Sequence, residues 1–455
     1  MKVLWLCNVM MPMIAEQFSL EASNKEGWIS GLADTVLSRQ KENGIELAVA
    51  FPTPVSFIDP EKGICEKTVT IQGVDVSCYG FLENTDHPEG YEEALEERMK
   101  AVLDAFRPDI VHCFGTEYPH TLAMCRVVPD KRKLLIGIQG LCTYCAEAYF
   151  ADLPEKAVRT VTFRDFLKKD SMLRQQQKFV ARGRHEREAM SLAGNITGRT
   201  EWDRQCSGQC NPKAKYYSMN ETLRRDFYEG VWKKEDCIPH SIFISQGDYP
   251  LKGLHYMLKA LPGILEQYPD TKVYVAGNSI VSYDTLKQKL KLSGYGKYLR
   301  SLMKQYELSD KVVFLGRLTG AEMKQRYLKS HLFVCCSSLE NSPNSLGEAM
   351  LLGMPCVSAD VGGITSIFTG GKDGILYEGH GSSRNTLREK EESPELIADN
   401  LCQAVLTMWS DAEKQEFYCE NARKHARKTH DREQNYYRLT EIYKDIVRQQ
   451  EDEVE

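Results

Sequence analysis

From residue 241 to residue 359 the chain alternates short apolar, β-branched runs with amphipathic helical stretches, and few architectures accept that alternation. The run SIFIS (241–245) precedes a stretch that places Leu254, Met257, Leu258, Leu261 and Leu265 on one helical face. TKVYVAG (271–277), VVFLG (312–316), LFVCC (332–336) and PCVSA (355–359) read as further strands, with AEMKQRYLKS (321–330) and SLGEAMLLG (345–353) as helices between them. Strands this short and this apolar belong in a parallel sheet covered on both faces, which makes the fold class α/β. The first part of the chain repeats the theme less regularly. Residues 3–6 read as a strand, and Ile29, Leu32, Val36 and Leu37 recur at helical spacing before an Asn43-Gly44 stop. Strands follow at 46–51, 109–113 and 134–139. The polar, proline-containing stretch EGVWKKEDCIPH (229–240) interrupts the pattern and marks the boundary between residues 1–232 and a second domain over 233–428.

With 455 residues the chain has room for two domains, each with its own core. A net charge of −6 gives no global reason to expect nucleic acid as a partner. Fifteen cysteines read as reduced thiols in a cytoplasmic protein. Cys142-x-x-Cys145, with Cys206 and Cys210 some sixty residues on, has the wrong spacing for a zinc ribbon. Asn8 and Pro12 interrupt the opening apolar run, so it reads as a first strand and not as a leader peptide. No apolar stretch is long enough to cross a bilayer, which leaves only peripheral contact with a membrane surface. Between 155 and 188, ten Lys or Arg stand against five Asp or Glu, interleaved with Phe163, Phe166, Leu167, Leu173 and Phe179. That pattern suits either solvated helix faces or an amphipathic surface for anionic lipid or a lipid-linked acceptor. The polar segment 379–394 and the acidic tail 449–455 read as solvated.

The chemistry-bearing residues sit where strands give way to helices. In α/β sheets those loops, with the unpaired N–H groups of the next helix, line the ligand crevice and favour phosphate. Glu340 falls on the loop after LFVCC, and Glu348 falls in the first turn of the next helix. Ser345-x-x-Glu348 also fits a capping box, so a purely local role for Glu348 stays open. Lys252, in SQGDYPLKG just before a helix, suits a point charge on a diphosphate or an ordinary surface lysine. Arg317, with Leu318, follows the strand VVFLG, and Gly27 precedes the first amphipathic helix. His112 and Gln139 fall at the ends of two strands of the first domain. No G-x-G-x-x-G follows a strand and no P-loop occurs, which demotes nicotinamide and P-loop chemistry. Glu340 and Glu348 as a glycosidase pair stays open, because sequence does not give a carboxylate separation.

The segment CCSSLENSPNSLGEAMLLGMPCVSAD (335–360) resembles the E-x7-E signature of glycosyltransferase family 4, matching at Glu340, Glu348, Gly347, Ala349, Met350, Gly353 and Pro355. The resemblance implies two Rossmann-like domains facing each other across a cleft, the GT-B architecture. Residues 1–232 would hold the acceptor, 233–428 the nucleotide-sugar, and a helix within 429–455 would cross back to the first domain. It implies a retaining transferase moving a hexosyl-type sugar from a nucleotide-sugar to a glycan or lipid-linked acceptor, in cell-surface polysaccharide assembly. Glu340, Lys252, Gln139 and His112 would then surround the chemistry, and Glu348 would bind the ribose. Arg317, Leu318, Asn344, Ser345, Leu346 and Gly27 would complete the donor site with Lys252, and Arg199 would be a secondary contact. The lack of any Asp-x-Asp fits an enzyme with no metal and no cofactor. The chain departs from the family pattern where Gly247 replaces an arginine, Gln139 a histidine, and Gly27-Trp28 a double glycine. Those departures keep a second reading open, a catalytically silent member that binds carbohydrate or supports a partner transferase.

Overall fold

The computed structural model describes residues 1–20, 27–381 and 393–451. Most of the polar segment 379–394 and of the acidic tail lies outside them. The described chain forms two compact units, each built on one sheet. The first comprises residues 1–144, 178–224 and 430–455, and the second residues 145–177 and 225–429.

In the first unit the strands are β1 (Lys2–Cys7), β2 (Glu46–Pro52), β3 (Ile64–Ile71), β4 (Val74–Phe81), β5 (Ile110–Phe114), β6 (Leu134–Gly137), β7 (Asn195–Gly198) and β8 (Lys215–Ser218). Their order across the sheet is β3-β4-β2-β1-β5-β6-β7-β8. All pairings are parallel except the β3–β4 hairpin, whose turn puts Gln72 and Gly73 at φ 53° and 76°, as a two-residue hairpin loop requires. The helix Gly27–Ser38 buries Ile29, Leu32, Val36 and Leu37 against this sheet's core, in keeping with their spacing. The helix Arg432–Glu451 buries Tyr436, Leu439, Ile442, Tyr443 and Ile446 in the same core. Its Tyr443 hydroxyl accepts from Trp5 Nε1 at 2.8 Å and lies 2.8 Å from His112 Nδ1. Replacing Tyr443 with Phe strands two buried polar groups, so the expected loss is about 2 kcal/mol. A urea titration checks this as a lower midpoint at unchanged slope.

The second unit has β9 (Ile238–Ile244), β10 (Lys272–Val275), β11 (Val312–Phe314), β12 (Ser330–Cys335), β13 (Cys356–Asp360) and β14 (Ile375–Glu378), in the order β11-β10-β9-β12-β13-β14 and parallel throughout. The helix Leu254–Gln267 buries Leu254, Met257, Leu258 and Leu261 as its periodicity requires, with Ile264 fully buried beside a half-buried Leu265.

These units differ from the boundaries read in the sequence. The boundary read at 232/233 falls at 224/225 and the one read at 428/429 falls at 429/430, and residues 145–177 join the second unit although they precede it in the chain. The reason is a set of long-range polar contacts. His255 Nε2 and the Tyr256 hydroxyl both reach Ala151 O at 2.8 Å, and the Tyr256 hydroxyl also donates to Asp152 at 2.8 Å. Asp165 accepts the Gly294 N–H at 2.8 Å. All fifteen cysteines are thiols, buried or half-buried.

Candidate functional site

A parallel sheet opens a crevice where its strand order reverses. In the second unit that point lies between β9 and β12. The loop leaving β9 carries Lys252, and the loop leaving β12 carries Glu340. The two residues are 88 positions apart in sequence, yet Lys252 Nζ meets Glu340 Oε1 at 2.5 Å. Ser337 Oγ donates to the same oxygen at 2.6 Å. The Tyr249 ring lies 5.9 Å from the ammonium, and burial pushes its phenol up to about 12. Burial alone would depress the Lys252 pKa, but the adjacent carboxylate outweighs it and holds the group well above the usual lysine value. Lys252 is therefore a cation at any physiological pH. Burial pushes the neighbouring Cys335 thiol up to about 11, which removes it as a nucleophile.

Close backbone packing holds the pair in place. Gly253 sits at φ 67°, and a Cβ there would come within 1.8 Å of Cys336 O, so only glycine lets the two loops touch. Ser338 N–H donates to Leu251 O at 2.8 Å, and Cys336 Sγ to Lys252 O at 3.4 Å. On the other side Gly363 N–H donates to Glu340 O at 2.9 Å.

Beyond Glu340 the helix Asn344–Leu352 begins with no side-chain cap, its N-cap being Pro343. Asn344, Ser345 and Leu346 form its first turn; the Leu346 N–H turns back to Pro343 O at 3.0 Å, and the N–H groups of Asn344 and Ser345 have no intrahelical partner. Asn344 Oδ1 is buried without a hydrogen-bond partner. Glu348 is the fifth helical residue and not part of the first turn, and it is 3% exposed. The capping-box alternative is thereby removed, because Ser345 lies inside the helix and does not cap it.

Two other readings meet steric and topological facts. Gly247, where the resembled pattern has arginine, is enclosed: a Cβ would approach Leu254 Cδ2 to 2.7 Å and Val275 Cγ1 to 3.0 Å. Arg317 is exposed and Leu318 half-buried, beyond the end of edge strand β11. The structure thus joins Lys252 with Glu340 and leaves Arg317 at the far edge of the sheet.

In the first unit the order reverses between β1 and β5. Asn8 follows β1 and Glu117 follows β5, with Asn8 Nδ2 3.4 Å from Glu117 Oε2 and the Gly140 N–H donating to Glu117 Oε1 at 3.0 Å. Glu186, 1% exposed, accepts from Thr116 Oγ1 at 2.9 Å, Cys142 N at 2.8 Å and Thr143 N at 3.0 Å. Burial raises its pKa to about 7 against those hydrogen bonds. Arg199, whose side chain is 6% exposed, pairs with Glu221 and donates to Ile138 O at 3.1 Å and Gln139 O at 2.9 Å. It acts as a clamp on the loop that carries Gln139. A cavity of about 20 Å³ is lined by His112, Phe114, Gly137, Gln139, Arg199 and Glu221 among others.

His112 is the third of five residues in β5 and does not end the strand. It is wholly buried and stacked on Phe114, and burial lowers its pKa to about 3. It is thus a neutral core histidine at physiological pH. Gly27 is the first residue of its helix and not a loop residue before it. Asn8, Glu117, Glu186, Tyr249 and Ser337 escaped the sequence reading. Asn8, Glu117 and Ser337 each follow a strand at or near a reversal point, which was the available signal. The partners of Glu186 lie 43 to 70 positions away and leave no local trace.

Residues 239–396 match the family of glycosyl transferases group 1. The putative glycosyltransferase YtcC of Bacillus subtilis is 22% identical over 364 residues, covering 79% of this chain and 77% of that protein. Spore coat protein SA of the same organism is 28% identical over 127 residues, 28% of this chain, and the chain spans about a third (32%) of that relative's length. Among solved structures, sucrose-phosphate synthase from Thermosynechococcus elongatus superposes with a TM-score of 0.62 at 14% identity, covering 98% of this chain and 99% of that one. Anabaena HepE in complex with UDP and glucose gives 0.61 at 16% identity, covering 98% of this chain and all (100%) of that one. The chain therefore shares the two-domain α/β fold of the GT-B glycosyltransferases, and its residues 239–396 are a glycosyl transferases group 1 domain.

Proposed function

We propose that the chain is a retaining transferase that moves a hexosyl-type sugar from a nucleotide-sugar to a glycan or lipid-linked acceptor in cell-surface polysaccharide assembly. The observation that carries this reading is the Lys252–Glu340 pair at the β9/β12 reversal point, directly ahead of an uncapped helix N-terminus. A diphosphate entering there meets a permanent cation and unpaired N–H groups, the chemistry that stabilises a leaving phosphate. Lys252 has three N–H donors, so it can keep Glu340 and still bond a phosphate oxygen. Glu348, buried on the same helix, is the group for the ribose hydroxyls, and Asn344 Oδ1 supplies a further acceptor.

In the reaction the bond from the anomeric carbon to the phosphate oxygen breaks, and the acceptor oxygen bonds to that carbon on the same face. The acceptor proton passes to the departing phosphate oxygen. No side-chain nucleophile takes part, and His112 has no acid–base role. The gain comes from charge placement and from holding the reactants together. That HepE was solved with UDP and glucose supports a nucleotide-sugar donor.

A panel of UDP-, GDP- and ADP-sugars, incubated with the full chain with and without EDTA and scored for free nucleotide, tests the proposal. The expected result is release from one donor, unaffected by EDTA and lost in Glu348→Ala. Neither binding nor release from any donor would overturn it.

A further inference from the structure

The helix Phe163–Lys168 lies against the helix Leu286–Lys291 within the second unit. Both expose large apolar side chains. Phe163, Phe166 and Leu167 follow i, i+3, i+4 spacing on the first, and Leu286 and Leu290 follow i, i+4 spacing on the second. Phe166 and Leu286 are each 73% exposed, and Val161 adds to the patch. Water-facing clusters of this kind mark interaction surfaces, whereas an isolated exposed leucine marks nothing.

The charge around the patch points to the partner. Residues 155–174 and 283–297 together hold ten Lys or Arg and four Asp or Glu, on a chain whose net charge is −6. Three of the four carboxylates are already committed, Glu155 to Arg159 at 2.7 Å. Asp165 is buried, accepting from Gly294 N and from Thr162 N at 3.1 Å, and Asp170 pairs with Arg164 at 2.8 Å. Lys168, Lys169, Lys287 and Lys291 are exposed. The Asp165–Gly294 bond also ties the Phe163–Lys168 helix to the start of the helix that follows Leu286–Lys291, so the two apolar ridges keep a fixed spacing. Apolar ridges flanked by lysines are the chemistry of docking on an anionic bilayer, with rings and leucines in the acyl boundary and ammonium groups at the phosphates.

We infer that the surface formed by the helices Phe163–Lys168 and Leu286–Lys291 docks the protein on an anionic lipid bilayer. The test is co-sedimentation of the full chain with vesicles of phosphatidylcholine alone or with phosphatidylglycerol added. No sugar donor is needed, so the outcome is independent of the proposed transfer reaction. Binding to the anionic vesicles only is expected, weakened about tenfold or more by Phe166→Glu with Leu286→Glu, and separately by Lys168→Glu with Lys169→Glu. Trp emission from Phe166→Trp should shift to the blue on the anionic vesicles. The substituted side chains are exposed, and far-UV circular dichroism confirms that each variant is folded. Absence of vesicle binding, or binding that ignores both double variants, would overturn the inference. So would self-association of the wild-type chain that Phe166→Glu with Leu286→Glu abolishes while vesicle binding persists, because the patch would then join two copies of this chain.

Discussion

Lys252→Ala should lower the rate of nucleotide release by about 100- to 1,000-fold, the cost of removing one preorganised charge from a developing oxyanion. The same change should reduce stability, because Glu340, only 12% exposed in its side chain, loses its cation while Ser337 alone remains as donor. A stranded carboxylate of that kind costs about 1–3 kcal/mol. The two effects separate in a double variant. Lys252→Met with Glu340→Gln removes the charge pair together, so thermal stability should largely return while turnover does not. Recovery of turnover in the double variant would show that Lys252 serves only to neutralise Glu340. Differential scanning calorimetry and the nucleotide-release assay read the two quantities on the same samples.

Gly253→Ala should be the most damaging single methyl group in the second unit. Its φ of 67° costs any L-residue about 1 kcal/mol. The approach of 1.8 Å to Cys336 O is more damaging still, because the contact is with backbone and no rotamer relieves it. Either the β9 loop or the β12 loop must move, and with it Lys252 or Glu340. A loss of about 3 kcal/mol or more is expected in urea titration, with turnover falling in the fraction that stays folded. Gly277→Ala is the control. It also sits at positive φ, 99°, but a Cβ there meets nothing within 4 Å, so only the backbone cost should appear.

Much of this site was legible without coordinates because it rests on local signals. Apolar β-branched runs placed β9 and β12 to within three residues, and residues just past strand ends in an α/β sheet fall near its crevice. Lys252 and Glu340 could therefore be named individually. Their contact could not, since nothing in SQGDYPLKG or ENSPNSLGEAM encodes the other's position. His112 shows the opposite failure. A histidine near a strand end looks functional, but a small shift in the strand's end puts it mid-strand, and its partner Tyr443 lies 331 positions away. The assignment of residues 145–177 failed for the same reason, being set by His255, Tyr256 and Gly294, each more than 100 positions downstream. The β3–β4 hairpin was readable in principle from its alternation around Gln72-Gly73.

The chain passes from one unit to the other at 144/145, 177/178, 224/225 and 429/430. The first unit opens with the first strand, yet Trp5 and His112 wait for Tyr443, and Leu439, Ile442 and Ile446 close the same core. During synthesis this amino-terminal sheet cannot finish folding until the helix Arg432–Glu451 has left the ribosome, whereas every strand of the second unit is already in hand. The usual order of vectorial folding is thus reversed. A nascent chain with residues up to 429 emerged would carry a complete second sheet and an amino-terminal one whose apolar face is covered by the helix Gly27–Ser38 but not yet by Arg432–Glu451, a state for chaperones to hold.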